Sequence, residues 1–365
     1  MNIIIYATAA VEGGALSMLK DLLNFIKKDN NYYTVCINES IKEDLISATN
    51  ISYRTIDTKS TYKRIYFDFW GFSNCFDIST YDAVINLQNI PVRTNLPQFL
   101  FIHQPIPFSN ITFSILSKKE RNLLMYKYIY ASLIAFNKKY ISHCLVQTNW
   151  MKDAVAKKIK LNKELIHIIK PDIKIDYSKI DMTETKVNDF IYPAASYSYK
   201  NHLILIEAMN ILGIDFLDKH NFRLLLTIKR NEIPKLNNLI KNYDLDNYVL
   251  FSGHISRDKV LNLIIKSRAM LFPSNLETFG IPLVEAAKLN TYIIASELPY
   301  SKEVLNNYNY VDFCNNNDAS SWAKSIKSII ESEEPIRENT FHYESGWKKL
   351  QEIINTLNSQ SNQLY

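Results

Sequence analysis

At 365 residues the chain is long for one domain and natural for two. Apolar residues make up 47% of it, enough for a sizeable core in each half, and there are no repeats or low-complexity tracts. The net charge of +5 comes without a recognition motif for nucleic acid, which argues against that partner. Cys36, Cys75, Cys144 and Cys314 are scattered with no C-x-x-C pair, which fits reduced thiols in a cytosolic protein and not a zinc site or a disulfide framework. No apolar run approaches the ~20 residues of a spanning helix. The apolar start Asn2–Tyr6 lacks a basic flank. Any membrane association is therefore expected to be peripheral, with the protein in the cytoplasm.

The first expected strand, Ile3–Tyr6, leads through Gly13 and Gly14 into a helical pattern over Leu16–Lys28. Only seven glycines occur in the chain, so an adjacent pair here suggests close approach of backbone to a ligand. Further strands are expected at Tyr33–Ile37, Ala83–Leu87 and Phe99–His103, the last running into a proline-punctuated loop. His103 stands at that strand's end. From Lys118 to Lys160, ten Lys/Arg face only Glu120 and Asp153, a net of +8, interleaved with Leu123, Met125, Tyr126, Tyr128 and Tyr130. That mixture reads either as a surface for anionic lipid headgroups or as a solvated helical face. A strand at Cys144–Gln147 precedes a helix with Thr148 or Asn149 at its N-cap.

The polar, charge-rich segment Asp172–Asn188 has no amphipathic period and reads as a linker. Strands then recur at Phe190–Pro193, Leu224–Ile228, Val249–Ser252, Met270–Pro273 and Tyr292–Ala295, with helices at Asn201–Leu212, Glu232–Tyr243 and Lys259–Lys266 between them. Alternation of this kind signals parallel α/β architecture. The expected organisation is a Rossmann-like domain over 1–171, a linker over 172–188, a second Rossmann-like domain over 189–341 and a C-terminal helix within 342–365, near Tyr343–Leu357, followed by a polar tail that frays. Asp244-Leu-Asp246 has the spacing of a metal-binding pair but lies beside an expected turn, and no other cluster has metal-ligand spacing.

Ser274–Ala286 is the most informative segment. A buried strand ends at Pro273, a loop carries Glu277, and Phe279-Gly280-Ile281-Pro282 turns into a helix holding Glu285, with Pro282 expected at its first position. Free amides at a helix start receive phosphate, and carboxylates accept hydrogen bonds from sugar hydroxyls. The pairing suits a nucleotide sugar.

This segment resembles the signature of retaining glycosyltransferases of the GT-B fold, family 4, in which two glutamates flank a Phe-Gly-(Leu/Ile)-Pro core. The resemblance implies an α/β GT-B fold: two facing Rossmann-like domains with a cleft between them. It places Glu277 at donor-sugar hydroxyls, Glu285 at the nucleotide ribose, and the backbone of Phe279, Gly280 and Ile281 toward the sugar and phosphates. The loop Tyr192–His202 is similar to the family's basic strand–loop–helix element, which puts Lys200, with Asn201, at the donor pyrophosphate. Many members carry an arginine earlier in this loop; here Ala194, Ala195 and Ser196 stand there, leaving Lys229 or Arg230 as substitutes. Gly13 and Gly14 resemble the Gly-Gly loop that approaches the donor phosphates, and His103 the histidine that positions the sugar or relays the acceptor's proton. The final helix is expected to cross back to the first domain.

The activity implied is that of a retaining, metal-independent hexosyltransferase with no cofactor beyond its nucleotide-sugar co-substrate. The acceptor is expected to be a glycan or lipid-linked oligosaccharide of bacterial O-antigen, capsule or lipopolysaccharide synthesis, met at an anionic membrane surface through Lys118–Lys160. The alternatives are a non-catalytic GT-B binding or regulatory subunit and a GT-B nucleotide-sugar epimerase.

Overall fold

The computed structural model describes residues 1–11, 13–57, 63, 66–114, 118–181, 187–332 and 341–361. The chain divides into two compact units, Met1–Ile173 with Glu344–Tyr365, and Lys174–Tyr343.

Among the described residues, the first unit is built on a seven-stranded parallel sheet. Its strands are β1 (Asn2–Tyr6), β2 (Tyr32–Ile37), β3 (Ile51–Thr55), β4 (Ala83–Asn86), β5 (Gln98–Phe101), β6 (His143–Val146) and β7 (Ile166–Ile168), in the order β3-β2-β1-β4-β5-β6-β7. Ile3, Ile4 and Ile5 are all fully buried, as expected of a central strand covered on both faces. The helix Gly13–Ile26 covers one face with Met18, Leu19, Leu22, Leu23 and Ile26, a single helical stripe. Strand order reverses between β1 and β4, so the loops leaving their carboxyl ends diverge and open a crevice there.

The last helix, Trp347–Ser361, lies in this unit. Trp347, Leu350 and Ile354 are buried in the same core as Phe101 and Ile169. The Gly346 amide donates to the Lys170 carbonyl at 2.8 Å. The helix runs past Leu357 into the tail expected to fray, and residues 362–365 lie outside the described residues.

The second unit carries a six-stranded parallel sheet of β8 (Val187–Tyr192), β9 (Arg223–Leu226), β10 (Val249–Phe251), β11 (Ser267–Phe272), β12 (Tyr292–Ser296) and β13 (Val311–Cys314), ordered β10-β9-β8-β11-β12-β13. The reversal here falls between β8 and β11, the neighbours that flank the candidate site. The helices His202–Leu212 and Ala319–Glu331 bury Leu205, Met209, Trp322 and Ile326 beneath this sheet's core.

The segment expected as a linker, 172–188, is divided between elements. The unit boundary falls after Ile173, and Val187 and Asn188 already belong to β8. The 3-10 turn Tyr177–Lys179 is strapped to the second unit. Asn262 donates to the Lys179 carbonyl at 2.9 Å and accepts from the Asp181 amide at 2.8 Å. Residues 182–186 lie outside the described residues.

Candidate functional site

In the second unit, the loops after β8 and β11 are bracketed together. The Asn275 amide donates to the Tyr199 carbonyl at 2.7 Å, and Asn316 joins them again, accepting from Asn201 Nδ2 on its carbonyl at 2.9 Å and donating to Asn275 Oδ1 at 2.7 Å. Tyr192, the last residue of β8, donates its hydroxyl to the Lys200 carbonyl at 2.7 Å. Asn201 sits in the left-handed region at φ 58°, which asparagine tolerates, and so ends the 3-10 turn Ser198–Lys200 and opens the next helix. Tyr300 donates to the carbonyl of the fully buried Ser274 at 2.7 Å, anchoring the other loop. This framework aims Lys200 Nζ directly at the Glu277 carboxylate, to which it donates. Both side chains are largely shielded, at 15% and 16% exposure.

Four titratable groups around this pair are uncharged at neutral pH. Burial, then the Glu277 charge, raises the pKa of the Tyr192, Tyr199 and Tyr300 hydroxyls, keeping all three protonated. Burial, then the Lys200 charge, pushes His202 down to about 4, so its imidazole is neutral. Lys200 and Glu277 therefore face each other beside neutral tyrosine and histidine side chains.

Gly280 caps the helix Ile281–Lys288 at φ 85°, so Ile281 is its first residue and Pro282 its second, one position later than expected. Phe279 is buried against Tyr343, with ring centroids 6.1 Å apart. Glu285 is 4% exposed and accepts from Arg257 Nε at 2.5 Å. Arg257 also donates to the Lys174 carbonyl at 3.0 Å. Its guanidinium is the basic partner that sequence reasoning missed. Only its setting is legible locally: Gly253, at φ 68° after β10, leads into a helix beginning at Arg257, repeating the strand–glycine–helix layout of Ser274–Ala286, but nothing in that stretch points to Glu285.

Arg230, expected as a substitute partner for Lys200, pairs instead with Asp246. That bond also occupies one carboxylate of Asp244-Leu-Asp246, and Asp244 takes a turn conformation at φ 55°. Lys229 starts a 3-10 turn in which Glu232 accepts from the Lys229 amide at 3.2 Å and meets His254 Nε2 at 2.8 Å. No group of three or more His, Cys, Asp or Glu suited to a metal occurs among the described residues.

In the first unit, the carboxyl ends of β1, β4 and β5 gather Thr8, Gln88, Asn89 and His103. The Gln88 amide bridges to Thr8 Oγ1 at 3.0 Å. Asn89, at φ 65°, accepts from the amides of His103 and Gln104 at 2.7 and 3.0 Å, and its Nδ2 lies 3.2 Å from His103 Nε2. Burial pushes His103 down to about 4. Gly13 opens its helix at φ 60°, and a Cβ on Gly13 or Gly14 would meet nothing within 4 Å.

The basic stretch begins with the helix Lys118–Met125, a π-helical turn Tyr126–Tyr130 and the helix Ala131–Phe136. Met125, Tyr128, Ile129 and Phe136 are exposed, Phe136 at 72%. Lys127 does not join the basic surface: it is buried and donates to the Ile111 carbonyl at 2.5 Å. Arg93 lies over the rings of Phe69, Trp70 and Phe136, at 4.7, 5.5 and 5.9 Å, extending the aromatic patch beyond the stretch. Among the described residues, no helix is long and apolar enough to cross a membrane.

Comparison with known proteins matches residues 175–344 to the family described as glycosyl transferases group 1. The O-antigen chain mannosyltransferase RfbU of Salmonella typhimurium is 28% identical over 204 residues, covering 56% of this chain and 55% of that protein. The capsular polysaccharide biosynthesis glycosyltransferase CapH of Staphylococcus aureus is 25% identical over 169 residues, covering 46% and 47%. The chain thus spans about half the length of the curated relatives it matches. The crystal structure of Anabaena Alr3699/HepE with UDP and glucose superimposes with a TM-score of 0.65 at 15% identity, covering 91% of this chain and 90% of that one. The two parallel α/β units therefore have the GT-B fold.

Proposed function

We propose, from the match of residues 175–344 to the glycosyl transferases group 1 family, that this chain is a retaining glycosyltransferase of family 4. It moves a sugar from a nucleotide-sugar donor to a hydroxyl of a lipid-linked oligosaccharide in bacterial O-antigen, capsule or lipopolysaccharide synthesis. The names of RfbU and CapH support the pathway, and the UDP and glucose held by the Anabaena structure support the donor class.

The observation that carries the reading is the shielded Lys200–Glu277 pair, on the loops after the two strands where the sheet order reverses. Without ligand the two charges neutralise each other. A donor diphosphate competes for Lys200 and frees the Glu277 carboxylate for sugar hydroxyls. Glu285, anchored by Arg257, accepts from the ribose. As the bond from the anomeric carbon to the phosphate oxygen breaks, Lys200 stabilises the charge developing on the leaving group. The acceptor oxygen bonds to the anomeric carbon from the same face, through an oxocarbenium-like state, and its proton passes to the departing phosphate. In this reading Lys200 and the amides at the start of the helix Ile281–Lys288 do the work a metal would otherwise do. The exposed aromatic and basic groups around Phe136 and Trp70 rest on anionic lipid, where amphipathic rings and basic side chains are both favoured.

The first test is thermal stability against UDP, GDP, dTDP and ADP, each alone and with its common sugars, with and without chelator. A ligand at 100 times its dissociation constant adds about 2.7 kcal/mol. A selective shift that survives chelation and is lost in Glu285→Gln is expected. No shift in the whole panel, together with no sugar transfer to lipid-linked acceptors, would overturn the reading in favour of a non-catalytic protein. The anomeric configuration of the product, read by NMR, decides retention. Flotation with neutral and anionic liposomes decides the membrane claim: wild type should float only with anionic lipid, and Phe136→Ser with Trp70→Ser should not.

A further inference from the structure

We propose that Asn89 is a positioning residue that fixes the tautomer of His103, holding the ring proton on Nδ1 so that His103 acts as a hydrogen-bond donor and not as a proton acceptor. The orientation of the Asn89 amide is settled by its neighbours. Two backbone N–H groups, from His103 and Gln104, point at one of its terminal atoms, at 2.7 and 3.0 Å. That atom must be the oxygen, so the other is the nitrogen, which can only donate. The nitrogen lies 3.2 Å from His103 Nε2. Nε2 therefore accepts, and a neutral ring carries its single proton on Nδ1.

Nδ1 is buried and has no hydrogen-bond partner among the described residues. A buried donor left unsatisfied is costly, so Nδ1 calls for an acceptor from outside the protein, a water or a ligand oxygen. Burial also disfavours the imidazolium, pushing His103 down to about 4. Across neutral pH the ring thus offers one proton, on one known atom, with no lone pair free for base catalysis. The left-handed backbone of Asn89 at φ 65° is what turns its side chain back onto the loop after β5.

That the acceptor is a sugar hydroxyl oxygen rests on the transferase reading above; the tautomer itself does not. It is tested without any substrate. The full chain is labelled with 15N in its histidine rings, and long-range proton–nitrogen correlations are recorded at pH 7, with His103 assigned from the signal lost in His103→Gln. The expected pattern is an Nδ1–H ring with an unprotonated Nε2. Asn89→Asp keeps an acceptor for both amides, and aspartate tolerates the left-handed region. It replaces the donor at Nε2 by a carboxylate, so Nε2 should become protonated. Asn89→Gly keeps the backbone conformation without the amide and should give a mixture of tautomers; it carries the test if the aspartate variant fails to fold. An Nε2–H ring or a mixture in the wild type, or the wild-type pattern in both variants, would overturn the proposal. A protein that transfers no sugar but shows the expected shifts would sink the transferase reading alone.

Discussion

Glu277 and Lys200 are partly shielded, and each is the other's principal counter-charge. Removing one partner of a fully buried pair costs about 3–5 kcal/mol; water reaches both groups here, so the loss is smaller. Glu277→Gln keeps an acceptor for Lys200 while deleting the charge. It should melt close to wild type yet lose on the order of 100-fold or more in kcat, because the interaction lost acts on charge developing at the reacting centre. Wild-type turnover by this variant would remove Glu277 from the donor site. The glycines make an opposite pair of predictions. A Cβ on Gly280 would lie 3.0 Å from Leu283 Cδ1 at a φ of 85°, so Gly280→Ala should lower unfolding stability by about 1–3 kcal/mol in urea titration. Gly14→Ala meets nothing within 4 Å and sits in a helix, where alanine is favoured by up to about 1 kcal/mol. It should leave the fold at least as stable, and any effect should appear as weaker ligand binding. A destabilised Gly14→Ala protein would mean that the glycine serves the fold.

His202 begins the helix after Lys200 and is 2% exposed, with its ring 4.8 Å from that of Tyr192. Its pKa is lowered to about 4 by burial and then by Lys200, while the Ala194 backbone and then Glu232 act in the other direction. The unfolded chain binds a proton here near pH 6.5 and the folded chain does not. Stability is therefore complete above about pH 6.5 and falls as the pH drops toward 4, by at most about 3 kcal/mol for this group. His202→Phe should flatten that slope in melts at pH 7 and pH 5; an identical slope would assign the acid sensitivity to other groups. The elements that were legible in the sequence are those whose signal is local. Central parallel strands appear as apolar runs, and the two loops bearing Lys200 and Glu277 appear as strand, turn and helix start. β3 is half exposed on an edge, β7 has three residues, and neither carries such a run. The π-helical turn Tyr126–Tyr130 inserts an extra residue per turn, which rotates Lys127 inward against a 3.6-residue reading. Arg257 joins Glu285 across the ends of β10 and β11, which are not sheet neighbours, and no local pattern encodes that meeting.

At the scale of the whole chain, the last helix returns to the first unit while the segment between belongs to the second, so the first unit is completed only when residue 344 and beyond are in place. Trp347, Leu350 and Ile354 are each 4% exposed or less in its core. Burying a large apolar side chain contributes about 1.5–3 kcal/mol, and three together approach the 5–15 kcal/mol that holds an entire domain folded. The entry to this helix is equally constrained. A Cβ on Gly346 would fall 2.6 Å from the Lys170 nitrogen and 2.7 Å from the Ile169 Cα, backbone atoms with no rotamer to escape into. Gly346→Ala must then push the helix away from Ile169 and loosen the core it shares with β1, β4 and β5. Hydrogen exchange followed by mass spectrometry should show faster exchange in those three strands. The amides of β8, β11 and the Lys200 loop belong to the other unit's sheet and should keep wild-type protection. Unchanged exchange in β1 and β4 would mean that the helix is an accessory to the first unit. Equal losses in both sheets would mean that the two units unfold as one.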